Sequence, residues 1–351
     1  MTLARIGFIG AGSWATHNHI PLLARRDDVQ LAGVCRLGGP ILERVRETFG
    51  FPFATEDYRE LLARDLDGVV VTSPHHLHYE HARAALEHGC HVMCEKPMAL
   101  RAQEAWDLVR AAAQRHLHLI VPYGWHYEPF VQQARKLMDE QVVGDIEYVL
   151  CHMASPTKSL FTGDVRSSDG AVIARTEPST WRVAEQGGGY AHGQVTHSAG
   201  LMFWLTGLRA TQVSARMRSP NADVDLYNAA NVVFDNGAIG TISGAATLPD
   251  RDEFEVDIRI FGTKGALLLD VKHKRVEVRS HDGKHQSFDD PEGQGTYSCE
   301  GPPYRFADLI QGRGTNDSPG EVGARSVELI EAMHLSASQE AAPVQVYRDA
   351  T

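Results

Sequence analysis

The first third of the chain alternates short apolar runs with segments of helical period. Arg5–Ile9, Val29–Cys35, Gly68–Thr72, His91–Cys94 and Leu117–Pro122 read as strands. Between them lie helix-like segments: Trp14–Arg25, interrupted near Pro21; Ile41–Phe49; Glu56–Ala63, opened by Thr55 as N-cap; His76–His88, closed by Gly89; and Ala102–Arg115. Short apolar strands separated by helices predict a parallel sheet covered on both faces.

After Pro122 the rhythm changes. A helix over Phe130–Glu140 and a strand over Ile146–Met153 precede a Ser/Thr/Gly/Asp-rich loop to about Pro178. Ser198–Thr206 is helical and unusually apolar, and Leu201–Leu205 reads as plain core. Strand-like runs follow without helices: Thr211–Arg218, Leu226–Phe234, Ala238–Ala246, Glu253–Phe261, Ala266–Val271 and Arg275–Ser280. Asp235-Asn236-Gly237 and Gly262-Thr263-Lys264-Gly265 supply hairpin turns. Asp225 and Tyr227 read as sheet residues. Helices over Tyr304–Gln311 and Val322–Ser338 close the chain. The predicted class is α/β: an N-terminal domain built on the parallel sheet over 1–123, then a C-terminal α+β domain over 124–351. The second domain has a large, mainly antiparallel open sheet, and its last helix is a candidate to pack back on the first domain.

Composition narrows the function. A length of 351 residues suits two cores. The formal net charge of −11 argues against nucleic acid or an anionic membrane as partner. No apolar run reaches spanning length, and the mature chain is expected to begin where the sequence begins. Five cysteines without a framework spacing point to reduced thiols in the cytoplasm. Eighteen histidines raise the question of a metal. The densest cluster, His75, His76, His78 and His81, has no ligand-spaced cysteine or carboxylate, so no metal is expected.

The turn Ile9-Gly10-Ala11-Gly12-Ser13-Trp14-Ala15 follows the first strand and opens the first helix. Gly10 permits a tight turn, Gly12 lets a diphosphate approach the backbone, and Ala15 allows close helix packing. Ser13 and Trp14 begin a helix whose N-terminus favours phosphate. Where NAD enzymes place an acidic residue, the second strand ends in Arg36, which suits a 2′-phosphate. Residues 1–123 therefore read as an N-terminal Rossmann dinucleotide-binding domain, and the expected cofactor is NAD or NADP, with a lean to NADP.

Taken together, these motifs resemble the glucose-fructose oxidoreductase / inositol dehydrogenase (Gfo/Idh/MocA) family along nearly the whole chain. Ser73-Pro74-His75-His76-Leu77-His78 stands where that family has a Thr-Pro-Asn-x-x-His-like loop. Glu95-Lys96-Pro97 matches its Glu-Lys-Pro, in which the proline often follows a cis peptide. Gly187-Gly188-Gly189 followed by His197 matches its Gly-Gly-Gly…His segment. The resemblance implies that Ser73, Pro74, His75, His78 and Glu95 contact the cofactor. It implies that Lys96 lies beside both nicotinamide and substrate hydroxyl, and that His197 is the proton acceptor. It also places Trp125, His126, Trp181, Arg182, Tyr190, His192 and His197 against the substrate. The sequence departs from the pattern at Gly193, Val195 and Gly200, where the family has Asp, Gly and Asp. The carboxylate that would complete a Lys-Asp-His set is missing: either a His-Lys pair suffices, or another residue substitutes, with Tyr190, His192 and Glu185 the adjacent candidates.

The leading function is therefore an NAD(P)-dependent oxidoreductase acting on a secondary alcohol of a sugar or polyol. One alternative is a glycoside hydrolase that uses transiently reduced NAD. Another is a non-catalytic dinucleotide sensor. The resemblance further implies a homodimer or homotetramer through the C-terminal sheet, with Leu226–Phe234 and Ala238–Ala246 at the interface.

Overall fold

The computed structural model describes residues 3–163, 173, 178–290 and 297–347. Most of the loop expected before Pro178 lies outside the described residues. The chain divides into two compact units. The first comprises Met1–Gly124, Arg166–Thr180 and Cys299–Ala324; the second comprises Trp125–Val165, Trp181–Ser298 and Arg325–Thr351.

The first unit is built on a six-stranded sheet of β1 (Ala4–Ile9), β2 (Val29–Cys35), β3 (Ala54–Thr55), β4 (Gly68–Val71), β5 (His91–Cys94) and β6 (Leu119–Ile120), ordered β3-β2-β1-β4-β5-β6. Every pairing is parallel. Ile6, Phe8, Val69, Val70, Val92 and Met93 are buried, which is why the strands read as unbroken apolar runs. The order reverses between β1 and β4, so the crevice at their carboxyl ends is a topological switch point.

Two details differ from the sequence reading. β3 has only two residues, too few to carry a periodic signal. Thr55 belongs to it and is not the cap of the following helix. That cap is Asp57, which accepts the Arg59 N–H at 2.9 Å, while Thr55 Oγ1 accepts the Asp57 N–H at 3.1 Å. The break anticipated near Pro21 is present as a wide turn over Ala15–His19, followed by a helix over Ile20–Ala24. Pro21 lies inside this continuous helical run, just after the widened turn in which the Ile20 N–H reaches back to the Ala15 carbonyl.

Charge pairing ties the helix Gly301–Ile310 into the first unit. Arg26 bonds Asp28 and Asp308, both at 2.8 Å, and Arg313 reaches the same two carboxylates. A Cβ on Gly68 would lie 2.5 Å from Ile310, so glycine lets this helix close on β4.

The second unit carries a nine-stranded sheet of β7 (Ile146–Ala154), β8 (Ala210–Arg218), β9 (Tyr227–Phe234), β10 (Ile239–Ala245), β11 (Glu255–Gly262), β12 (Gly265–Asp270), β13 (Arg275–Ser280), β14 (His285–Asp289) and β15 (Val344–Gln345). Its order is β14-β13-β12-β11-β7-β10-β9-β8-β15. All pairings are antiparallel except β7 with β10. β14 and β15 were not anticipated. β14 is an edge strand of mostly exposed polar residues, and β15 has two residues.

The helix Thr196–Thr206 packs on one face of this sheet and is buried from Thr196 to Leu205. A helix apolar all round needs cover on every side, as this one has. The opposite face shows Tyr148, Leu150, Ile239, Phe261 and Leu268, aligned by cross-strand register. Ile239 is 55% exposed and Phe261 39%. Among the described residues, no helix is long and apolar enough to cross a membrane.

Candidate functional site

The sequence-predicted cofactor residues all belong to the first unit. Gly10 has φ +90, and a Cβ there would stand 2.4 Å from the Ser73 nitrogen. The turn after β1 therefore touches the loop after β4, and only glycine fits. Thr72 Oγ1 donates to the Gly10 carbonyl at 2.6 Å. The Gly12 carbonyl accepts from both the N–H and the hydroxyl of Thr16, which starts the helix with the first-turn N–H groups of Ser13 and Trp14 at its open end. Ala15 is fully buried and Trp14 is 43% exposed. Arg36 donates to the Leu37 carbonyl at 3.0 Å and to the Ala11 carbonyl at 3.5 Å, which keeps its guanidinium beside the turn. A glycine turn closed against the loop after β4, next to a helix N-terminus and a cation, fits a nicotinamide dinucleotide.

Two loops are cross-braced by His78. One ring nitrogen faces the Ser73 carbonyl and the other the Pro97 carbonyl, both at 2.7 Å. Burial pushes this imidazole below its ordinary value, against the pull of both carbonyls. His75, also buried, lies against His78 with ring centroids 5.7 Å apart. His81 was not singled out as a site residue by the sequence. Its Nδ1 meets Ser73 Oγ at 2.9 Å, and burial brings it down to about 4.

Glu95 and Lys96 stand immediately beyond β5, and the Lys96–Pro97 peptide is cis. Glu95 Oε1 lies 2.7 Å from His19 Nε2, and Oε2 accepts the Lys96 N–H at 3.1 Å. Burial pushes the Glu95 carboxyl up, but the His19 hydrogen bond and the nearby positive charges outweigh it and hold the group below the ordinary value. Desolvation brings the Lys96 ammonium down to about 8, with Glu95 opposing. His19, whose Nε2–H donates to Glu95 with the Trp14 indole edge packed beside it, was missed by the sequence reading. It falls in the wide turn, where helical spacing does not predict facing.

The predicted substrate residues all belong to the second unit. The structure brings Trp125 and His197 together, with centroids 5.6 Å apart, and adds Tyr297. The Tyr297 ring lies 5.5 Å from Trp125 and 5.4 Å from His197, and its hydroxyl is 3.5 Å from His197 Nδ1. Tyr297 is a hundred positions from His197 with no motif around it, so nothing in the sequence links the two. His126 is not in this group; it is fully buried and stacks on Trp204 at 4.6 Å. Tyr190 is also buried, with its hydroxyl 3.0 Å from Ser155 Oγ. His192 stacks on His334, at 4.7 Å. Trp181 packs edge-on to Phe161, and Arg182 donates to the Leu160 carbonyl at 3.2 Å.

The triple glycine has a steric basis at each position. Gly187 and Gly189 have φ of +83 and +102, and a Cβ on Gly188 would lie 2.8 Å from the carbonyls of Trp181 and Val183. The departure at Gly193 is explained in the same way. A Cβ there would stand 3.1 Å from the Trp181 ring and 3.3 Å from that of Phe161. The space for a carboxylate is filled by aromatic rings. Gly193→Asp is therefore expected to destabilise the fold by about 1–3 kcal/mol without raising activity, as read by urea denaturation and initial rates. A stable, more active variant would show that the site has room for the carboxylate.

A parallel sheet with its switch point at β1 and β4, joined in one chain to a broad and mainly antiparallel sheet, defines a two-domain protein of the dinucleotide-binding class. Family models agree in both halves. Residues 4–123 match the oxidoreductase family with NAD-binding Rossmann fold, and residues 131–268 match the GFO/IDH/MocA C-terminal domain. The chain belongs to the GFO/IDH/MocA family.

Among curated relatives, D-glucoside 3-dehydrogenase of Escherichia coli (strain K12) is 36% identical over 145 residues, 40% of this chain and 41% of that protein. Levoglucosan dehydrogenase of Pseudarthrobacter phenanthrenivorans is 24% identical over 258 residues, 64% of this chain and 61% of that protein. The chain spans about half the length of the curated relatives it matches. Among solved structures, an oxidoreductase domain protein from Kribbella flavida superposes with a TM-score of 0.81 at 21% identity, covering 99% of this chain and 100% of that one. A levoglucosan dehydrogenase in complex with NADH and L-sorbose gives 0.77 at 20%, with the same coverage.

Proposed function

We propose that the protein is an NAD(P)-dependent oxidoreductase acting on a secondary alcohol of a sugar or polyol. The observation that carries this reading is Lys96, a desolvated ammonium beyond β5 whose neighbour Glu95 is fixed by His19. The names of the relatives, several of them carbohydrate dehydrogenases, support it.

The glycine turn, Arg36, the Ser73–His78 loop and Glu95 would hold the dinucleotide, which supplies the hydride acceptor when bound. The remaining chemistry falls to side chains. Oxidation builds negative charge on the alcohol oxygen, and the Lys96 ammonium stabilises it by donating a hydrogen bond. His197 accepts the hydroxyl proton at Nε2. For that nitrogen to carry a lone pair, Nδ1 must bear the hydrogen and donate it to the Tyr297 oxygen. Tyr297 thus stands in for the orienting role of the carboxylate that Gly193 lacks. Trp125 offers an aromatic face to the C–H surface of a sugar ring.

The test is to purify the protein, identify any retained dinucleotide by mass, and screen free sugars and aryl glycosides. Accumulation of reduced cofactor supports the reading. Aglycone release with flat cofactor absorbance would replace it with redox-assisted glycoside cleavage. Retained dinucleotide with no turnover would replace it with a sensor. Arg36→Asp is expected to weaken NADP about 10–100-fold and NAD far less, by fluorescence titration; equal effects would remove the lean to NADP.

Five free thiols suit a reducing cytoplasm, where we place the protein. The open sheet face around Ile239, Phe261, Tyr148 and Leu150, which includes β9 and β10, suits a homodimer or homotetramer.

A further inference from the structure

Behind the triple glycine, titratable side chains meet where the reaction proposed above does not use them. Asp225 is 5% exposed. Its Oδ2 accepts the Ala191 N–H at 3.0 Å and the Asn228 side-chain amide at 3.3 Å, and its carbonyl accepts the Tyr190 N–H at 2.9 Å. The His192 ring, one residue on from Ala191, stacks on His334 at 4.7 Å with planes 16° apart. The last helix, Gly320–Ser338, supplies His334. Gly189 is pressed against the carboxylate so closely that a Cβ would lie 2.2 Å from Asp225 Oδ1.

This is an expensive arrangement if its only purpose is to fill space. Asp225 Oδ1, Asn228 Oδ1, His192 Nδ1 and His334 Nε2 are all shut off from solvent with no hydrogen-bond partner in the protein. Each such atom loses its hydration without a replacement bond, and apolar side chains would fill the volume at no such cost. Ala191–His192 is gripped on one side by a carboxylate and on the other by an imidazole. It opens the continuous helical run, Ala191–Val195 into Thr196–Thr206, that carries His197.

We propose that Asp225 and His334 are positioning residues for His197, a buried carboxylate held on Ala191 and a buried imidazole stacked on His192 that together fix the entry of its helix. The inference rests on His197 being the proton acceptor. Burial raises the Asp225 carboxyl and lowers the His334 imidazole, and each opposes the other's shift. His192 is pushed down to about 3, by burial first and by His334 second, so it packs as a neutral ring. A helix entry free to shift by an ångström would displace the imidazole five residues further on, and misplacement of that size costs about a hundredfold in rate.

The test uses Asp225→Asn, Asp225→Ala and His334→Phe in the full chain with dinucleotide bound. Asp225→Asn keeps an oxygen for the Ala191 N–H but removes the charge. His334→Phe keeps the stack but removes the imidazole nitrogens. One readout is kcat and KM on a sugar that the parent oxidises. The other needs no substrate: the His197 ring resonances in histidine-labelled protein, assigned with His197→Gln.

The expected loss in kcat is about tenfold for Asp225→Asn and His334→Phe and about a hundredfold for Asp225→Ala. The KM for dinucleotide should stay within about twofold, and the His197 resonances should move in the same order. Unmoved resonances with unchanged kcat per folded molecule, whatever the melting temperature, would make the cluster merely structural. If Asp225→Ala does not fold, the other two variants decide. If the parent oxidises no sugar, moved resonances sustain the positioning role while the oxidoreductase reading falls, and unmoved ones overturn both.

Discussion

Replacing Lys96 with methionine is expected to cut kcat for oxidation of the sugar alcohol by about 10²–10³-fold while the dinucleotide still binds. Methionine keeps the apolar stem and deletes the ammonium, so the loss reports charge rather than packing. Arginine should not restore the rate, because a planar guanidinium does not replace a compact point charge. The parent protein makes the same prediction through pH. Desolvation lowers the Lys96 pKa to about 8, so the charged fraction, and with it the rate, should fall about tenfold per pH unit above that value. Rates that hold level from pH 8 to pH 10 would refute the role.

Stability provides a control with a definite sign. The Lys96 pKa is about 8 in the fold, against 10.5 for a free lysine side chain. Between those values the unfolded chain binds more protons, so the parent should gain stability as pH rises through the window. The methionine variant should show no such gain, and at neutral pH it should be at least as stable as the parent. An inactive variant with a raised melting temperature has lost chemistry and not its fold.

The second large effect is expected at His197. His197→Gln should lower kcat by about 10²–10⁴-fold, because the amide keeps polarity and approximate size but cannot take up a proton. The effect should be on kcat more than on KM, as for an interaction made in the transition state. If Lys96 and His197 serve one bond-breaking event, the double variant should lose little more than the worse single variant. Fully multiplicative losses in steady-state rates would mean that the two residues act independently.

What the sequence revealed follows from where structure is periodic. β1, β2, β4 and β5 are apolar on both faces, and the glycine turn is local, so the dinucleotide fold was readable from a dozen residues. β3 and β15, with two residues each, are too short for any pattern. β14 is polar because it is an exposed edge. The parallel pairing of β7 with β10 joins segments some ninety residues apart, and no turn chemistry announces it.

The site divides in the same way. Gly10, Glu95 and Lys96 lie in contiguous motifs. His19, Tyr297 and Asp225 acquire their partners only through folding. Asp225 read as a strand residue, but it precedes β9 and holds the glycine-rich turn. Its only local clue was an acid flanked by Val224 and Leu226, an awkward neighbourhood for a solvated charge.

The central place of β7 has a consequence for how the molecule is made. Both neighbours of β7 in the sheet come later in the chain, β10 beginning at Ile239 and β11 at Glu255. On a ribosome adding about 5–20 residues per second, β7 waits roughly 5 to 20 s with both edges unpaired. During that interval Val149, Cys151 and Met153 have no sheet to bury them. The second sheet is therefore expected to keep apolar surface unpaired for longer during synthesis than the first, whose strands are all present by Ile120.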